Sequence, residues 1–510
     1  MGETRTAEAR TSAESMSGAI LQPLDETRVR GFHVRTILVA GMGFFTDAYD
    51  LFVIGLIAAL FAFYQPFAIQ GTLFNITLGG ATAAVTGIGL ISAAAIFGAG
   101  VGPFIFGRLG DRLGRKTIYG IEMLILVVGA VASSLAWSFA SLVLFRFIVG
   151  IGIGGDYPMS ATIMSEYANV RNRGRLVGTV FAMQGFGLLA GVVLGIGLLM
   201  AFPGSLDLVW RALLFAGAIP AAAVYLYRRR LPETPRFSLH VQGKARETAR
   251  VVGTLTGSQP AVSRELAPRR LSYGQLLKNY WMIVVGTAVS WFLFDISFYG
   301  TGIYSATLLS SLSLAYAPHM TALQHLITAE QYNAIIALIF TIPGYWIAVA
   351  TIDRLGRKTL QVLGFGVMAL AFLVLGLVPG IIALGAPFVI IYGMTFLFGN
   401  IGPNTTTFVL PTELFPTDGR TTGHGIAAGS GKIGAAVSTL LFPTLILLWK
   451  AAGLMLFLAG VAAVGVLVTL LFLRETKQRT LEDASREWDA QRLAAAERSP
   501  AVASSLIGDD

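Results

Sequence analysis

Cysteine is absent from the 510 residues. That excludes a disulfide framework, a thiolate metal site and a cysteine nucleophile. Charge is the second scarcity: only 13% of residues are Asp, Glu, Lys or Arg, against about 25% in a soluble domain whose surface must face water. With 55% of the chain hydrophobic and a mean hydropathy of +0.69, no water-facing shell can be built. The length would allow about three soluble domains of roughly 150 residues, but a polytopic membrane protein needs no such shell. No short apolar segment with a small-residue cleavage site stands at the start, so the first apolar run, from Val34, is expected to serve as the insertion signal.

What charge there is has a pattern. The net charge of +9 would suit a nucleic-acid partner if it formed a patch, but it sits in clusters between apolar runs. A hydrocarbon core of about 30 Å needs roughly 20 apolar residues per helix. Such runs lie at 34–63, 81–107, 118–136, 138–165, 175–202, 211–227, 281–311, 332–352, 360–380, 384–411, 421–448 and 453–473. The expected fold class is an all-α polytopic membrane protein, with 12 transmembrane helices as two six-helix bundles. All but four of the 37 Lys and Arg residues fall in alternate connections, the exceptions being Arg146, Arg211, Lys432 and Lys450. Positive charge collects on the cytoplasmic side. Residues 1–33 then form a cytoplasmic N-terminal segment, 34–227 and 281–473 the two bundles, 228–280 a cytoplasmic central loop and 474–510 a cytoplasmic tail, in the plasma membrane.

The chain also repeats. Asp-Arg-Leu-Gly-Arg-Lys occurs at Asp111–Lys116 and at Asp353–Lys358, an offset of 242. Pro232-Glu233-Thr234 and Arg474-Glu475-Thr476 share that offset, and Glu166 precedes Arg173 by the same seven residues as Glu413 precedes Arg420. Two six-span copies with a site between them describe a transporter working by alternating access. Gly107-x-x-x-Asp111-Arg112-x-Gly114-Arg115-Lys116 resembles the cytoplasmic signature of the major facilitator superfamily, with Val349 at the first glycine of the second copy. A tight turn at glycine, an aspartate able to cap a helix or pair across the halves, and arginines at the membrane face are the physical counterpart of that signature. Asp111, Arg112, Arg115, Glu166 and Arg173, with Asp353, Arg354, Arg357, Glu413 and Arg420, are the expected gating residues. A mere positive-inside anchor is the bland alternative, and recurrence in both halves argues against it.

An ionisable group near the bilayer centre costs roughly 2.5–3.5 kcal/mol, so each is a functional candidate. Span one holds Asp47 and Asp50, span three Glu122, span four Arg146 and Asp156, span seven Asp295 and span eleven Lys432. Unpaired, seven such groups would cost on the order of 20 kcal/mol, so they must pair, face a wet cavity or titrate. Height along the helices lets Asp47 pair with Arg146. Glu122 and Asp156 lie deeper toward the cytoplasm, where a lone carboxylate suits proton loading. Asp47, Asp50, Glu122, Arg146, Asp156 and Asp295 are the proton-coupling candidates; a structural ion-pair network is the alternative. Trp291, Asp295 and Tyr299 are spaced by four and share one helix face. Lys432, among small residues, needs Asp295 or a bound anion as partner. The glycine run from Gly150 to Gly155 lacks the strand and the Gly-Lys-Ser/Thr ending of a phosphate loop, so it reads as a close helix contact. It brings Asp156 and Tyr157 to a cavity wall at a height compatible with Gln184.

Five stretches narrow the resemblance: Gly43–Phe52, Gly152–Pro158 with Ser165-Glu166, Trp291–Gly300, Gly402–Phe408 and His424–Lys432. From about residue 31 to 480 the chain resembles the phosphate:proton symporters of the major facilitator superfamily, although Pro411-Thr412-Glu413 replaces the common Pro-Gly-Glu. The resemblance implies that Tyr157, Gln184, Trp291, Asp295, Tyr299, Asn404 and Lys432 surround phosphate, and that Asp47, Glu122 and Asp156 belong to the proton route. The implied function is import of inorganic phosphate with protons. The expected partners are phosphate, protons and the lipid bilayer, with no nucleic acid, no cofactor, no metal and a monomer as working unit. A symporter of another small anion or organic acid, and a phosphate sensor without transport, remain as rival readings; an enzyme is disfavoured because no nucleophile with a base and no metal cluster is present.

Overall fold

The computed structural model describes residues 2–67, 72–78, 81–303 and 320–487. Among them, 12 helices are long and apolar enough to cross a membrane. Helix α1 (Gly2–Glu26) precedes α2 (Gly31–Tyr64), and an antiparallel hairpin of β1 (Thr72–Leu78) and β2 (Ala81–Thr86) follows. Then come α3 (Gly87–Leu113), α4 (Arg115–Ser134), α5 (Phe139–Tyr167), α6 (Val170–Ala201) and α7 (Leu206–Arg229). Helix α8 (Ala245–Thr256) lies in the central connection. The second set is α9 (Tyr273–Ile303), α10 (Ala322–Leu355), α11 (Arg357–Leu377), α12 (Ala386–Leu414), α13 (Arg420–Phe442) and α14 (Leu448–Phe472), followed by the short α15 (Leu481–Ser485). The architecture is two six-helix bundles, α2–α7 and α9–α14. The face carrying α1, α8 and α15 is called the terminal face below, and the face carrying the hairpin the far face.

Each expected span has its helix, but some ends move. Residues 81–86, read as the start of the second span, are strand β2. The β-branched Thr82, Val85 and Thr86 suit a strand paired to β1, and the Thr86 side chain accepts from Gly89 N to start α3. The seventh span begins eight residues before its expected start, and positions 304–311 of that expectation lie outside the described residues. The break between the third and fourth spans falls after Ser134, and Ser138 caps α5 through Ser141 N.

The glycines of the 150–155 run are inside α5, where Gly150 and Gly154 face α3, Gly152 faces α4 and Gly155 meets both. A methyl at Gly150 would lie 2.0 Å from Ala95 O, and one at Gly154 2.5 Å from Ala99 O. Helices in lipid gain little by hiding apolar surface from one another, so close backbone approach supplies the contact energy. Large apolar side chains such as Leu38, Val128, Ile219, Leu370 and Leu471 point outward and stay exposed, which suits a lipid-facing belt.

Candidate functional site

On the terminal face two of the repeated motifs reach into the opposite bundle, and the third, around Thr234 and Thr476, bonds within its own half. Gly114 and Gly356 carry the sharp turns after α3 and α10, with φ of 102° and 99°, a region that favours glycine. Gly107, expected at a turn, lies inside α3 and packs against Thr421 O of α13. Asp111 accepts from Thr421 N and Thr422 N (3.2 and 2.7 Å) and so caps α13. Asp353 accepts from Gly174 N and Arg175 N (3.0 and 2.8 Å) in the matching place on α6. Glu166 is bonded by Arg115 (3.1 Å) and, across the halves, by Arg420 (2.8 Å). Glu413 is bonded by Arg357 and, across the halves, by Arg173, both at 2.8 Å. Thr234 and Thr476, from the second repeated motif, donate to Glu166 and Glu413. All six charged groups of these two carboxylate clusters are fully buried. Arg112 and Arg354 are exposed and stand outside them, because the α-helical period turns them away from the partner bundle.

Further in, the N-terminal bundle holds more charge. The expected pairing of Asp47 with Arg146 is replaced by Arg146 with Asp50, Nη1 to Oδ1 at 3.5 Å and Nη2 to the Asp50 carbonyl at 2.7 Å. Glu122 and Asp156 are not lone carboxylates. Arg228 of α7 turns inward and binds Asp156 with both Nη atoms (2.7 and 2.8 Å) and Glu122 at 3.2 Å. It stacks over the Tyr119 ring, 4.3 Å from the centroid. Gly43 makes room for this: a methyl there would fall 1.8 Å from Arg228 Nη2. Both Asp47 oxygens are buried without a hydrogen-bond partner. Asp47 lies within electrostatic range of Asp156, Arg228 and Asp50 and, in the other bundle, of Lys432.

Between the bundles, the expected binding residues converge. Lys432 Nζ donates to Asp295 Oδ2 (3.0 Å) and to Tyr299 OH (2.9 Å), and lies 4.8 Å from the Tyr157 ring centroid. Gln184 Nε2 donates to Tyr157 OH at 3.2 Å, Tyr345 OH to Gln184 Oε1 at 3.2 Å, and Asn404 Nδ2 to Tyr345 OH and Asn400 Oδ1, both at 2.7 Å. Tyr345 and Asn400 are additions to the expected set; Asn400 has a signal in its spacing, one turn before Asn404, and Tyr345 has none. A widened turn over Asn400–Asn404, broken at Gly402 and Pro403, presents Asn404 to the site. Trp291 is fully buried and tilts against Tyr157, centroids 5.9 Å apart. Phe408 stacks on Phe181 (4.3 Å) and meets Phe44 edge-on (4.9 Å), a packed aromatic contact between the bundles. A cavity of about 360 Å³ extends from Phe52 and Phe298 past α3, α6, α10 and α13, and Phe52 stacks on Tyr299 at 5.6 Å.

A separate cluster ties the terminal segments to the bundles. Arg236 pairs with Asp25 (2.5 Å) and Glu482 (2.9 Å). Glu487 accepts from Thr417 N (3.2 Å) and Thr417 Oγ1 (3.0 Å) and pairs with His240 (2.9 Å) and Arg269 (2.7 Å). Burial opposes the charge on Glu487, yet His240 and Arg269 hold its carboxyl below the usual range. Asp418 beside it is pushed up to about 7 by burial and by the Glu487 charge.

A family model described as sugar (and other) transporter matches residues 36–488. The chain is 40% identical over 495 residues to a putative inorganic phosphate transporter 1-13 of Oryza sativa subsp. japonica, covering 92% of this chain and 94% of the relative. It is 36% identical over 519 residues to a probable inorganic phosphate transporter 1-6 of Arabidopsis thaliana, covering 94% and 99%. Among solved structures, the major facilitator proton:xylose symporter XylE bound to 6-bromo-6-deoxy-D-glucose superposes with a TM-score of 0.72 at 20% identity, covering 89% of this chain and 99% of that one. That likeness is one of fold.

Proposed function

The chain belongs to the inorganic phosphate transporter family of the major facilitator superfamily, and from that footing we propose that it imports inorganic phosphate with protons by alternating access. The observation that carries the reading is the Lys432 ammonium held between Asp295 and Tyr299, with amides and phenols of both bundles around it. Dihydrogen phosphate offers acceptor oxygens to Lys432, Trp291, Tyr157 and the amides, and O–H donors to Asp295. A sugar would be served by neutral amides and needs no buried lysine. The curated relatives, named as phosphate transporters, support the same substrate.

The geometry also supports the cycle. The terminal face is shut by Arg173–Glu413 and Arg420–Glu166, while the cavity lies on the other side of the site. Moving an anion inward against a negative interior costs about 2.3 kcal/mol per charge per 100 mV, so co-transported protons are needed. Asp47, lacking a partner, is the proposed loading group: its protonation removes a negative charge near the site, Lys432 exchanges Asp295 for phosphate, and the bundles rock inward. Asp50 with Arg146 and Glu122 with Asp156 and Arg228 hold the N-terminal bundle's charge in place during that motion. The proposal includes cytoplasmic termini, a 228–280 connector between bundles 34–227 and 281–473, a plasma-membrane location and a monomeric transporter rather than an enzyme.

Radiolabelled phosphate uptake into proteoliposomes, with and without an inward proton gradient, tests it. Gradient-stimulated uptake in wild type and its loss in Asp295→Asn is the expected result. Uptake indifferent to the gradient would end the symport reading, and uptake of an organic acid in preference to phosphate would end the substrate reading.

A further inference from the structure

The far-face cavity has one ionisable lining residue on the part of α10 that enters it. Glu330 is 6% exposed, and its hydrogen-bond donor is the neutral Asn333 Nδ2 at 3.5 Å. Among the described residues no cation pairs with it. The surrounding wall is apolar or hydroxylic, with Phe52, Ser92, Val192, Phe298 and Thr341 among its members.

The helices around it add no charge. Over 51–64 of α2 Tyr64 alone titrates, over 87–96 of α3, 184–201 of α6 and 435–442 of α13 nothing does, and over 296–303 of α9 and 386–399 of α12 only Tyr299 and Tyr392 do. His325 and Tyr332 share its own helix. Asp50 is bound to Arg146, and at the far ends of the helices Asp207 is bound to Arg211 (2.8 Å). Glu330 lies fifteen residues before Tyr345 on α10, about 22 Å outward along the axis from the polar site.

A path for an anion is expected to be steered by positive charge. A carboxylate in its apolar vestibule repels phosphate when ionised, and as a neutral acid it donates a hydrogen bond to a phosphate oxygen. Resting on the phosphate-import reading, we propose that Glu330 is a protonation-controlled entry residue, which positions the incoming anion only in its neutral form. The carboxylate takes one proton from the external solution and keeps it while the anion passes, so the step needs no other reactant.

The test is initial-rate phosphate uptake into proteoliposomes of fixed internal pH, with external pH varied from about 5 to about 8, across the range above ordinary carboxylate titration. The wild-type to E330Q ratio of KM is expected to be near one at the acidic end and to climb to roughly 2- to 15-fold at the alkaline end, the range given by one like charge at about 10 Å between aqueous and protein-like screening. Maximal rates should stay alike, and E330D should restore the wild-type dependence. If E330Q does not insert, E330A is read the same way. A ratio constant across pH overturns this inference alone; wild type that takes up no phosphate overturns it together with the reading on which it rests.

Discussion

On the terminal face the two bundles are built alike, down to Asp111 and Asp353 each capping a helix of the other bundle. Inside, they part. The N-terminal bundle encloses Arg228 with Glu122 and Asp156 and, separately, Arg146 with Asp50. At the offset of 242, Gly364 stands for Glu122 and Leu470 for Arg228; at the offset that relates Glu166 to Glu413, Pro403 stands for Asp156. There the C-terminal bundle closes on itself: a methyl at Gly364 would lie 2.3 Å from Pro403. One copy fills that place with ions and the other with backbone contact. Both copies keep the cross-bundle ion pairs, whereas inside them the C-terminal bundle holds the Lys432–Asp295 pair, the proposed grip on the anion, and the N-terminal bundle a carboxylate-rich interior.

Breaking the ionic interior should have the largest effect. R228A leaves two carboxylates buried against each other, an expected loss of about 3–5 kcal/mol, read as a fall in thermal stability in detergent. Removing both acids as well, in R228A/E122Q/D156N, should recover part of that loss; no recovery would mean that Arg228 acts through packing alone. On the other side of the contrast, K432A should weaken phosphate binding on the order of 10- to 100-fold, the range of a hydrogen bond to a charged group, and cost less stability than R228A, because it strands the single carboxylate of Asp295 where R228A strands two. A stability loss like that of R228A would erase the distinction between the halves.

The likeness of the gates predicts equal penalties. E166Q and E413Q each keep the side-chain shape and remove one buried charge, so their melting temperatures should fall by amounts that differ by less than about 1 kcal/mol in equivalent stability. A larger gap would show that one gate carries the closed state. The smallest expected effect is at Asp418, whose folded value of about 7 stands above its ordinary 3.8. A raised value means that its contribution is present below the unfolded value and lost as pH rises through the folded one. D418N should therefore melt above wild type at about pH 8, with the gap closing toward about pH 4. An unchanged gap would show that the Asp418 charge is not what burial penalises.

Much of this was legible in the sequence. Twelve apolar runs predicted twelve helices, since length and hydropathy are local properties. The cost of a bare lysine predicted a partner for Lys432, and Asp295 is bonded to it. What failed depended on rotation and tertiary room. Asp47 and Asp50 differ by three residues, so which of them meets Arg146 is set by how α2 is turned. Arg228, followed by Arg229 and Arg230, read as part of a positive-inside cluster; whether it points out or folds inward is decided by the space beside Gly43. Glu330 carries no local pattern, because the helix that holds it begins ten residues before its apolar core.

The division of labour is tested most directly at Asp47, the buried carboxylate without a bond. For D47N in proteoliposomes, exchange of radiolabelled phosphate at equilibrium and accumulation driven by a proton gradient should be measured side by side. Exchange within about threefold of wild type, with accumulation reduced to the level seen without a gradient, is the result expected if the N-terminal bundle carries the proton and the other grips the anion. Accumulation that survives intact, or exchange that disappears with it, would contradict that division.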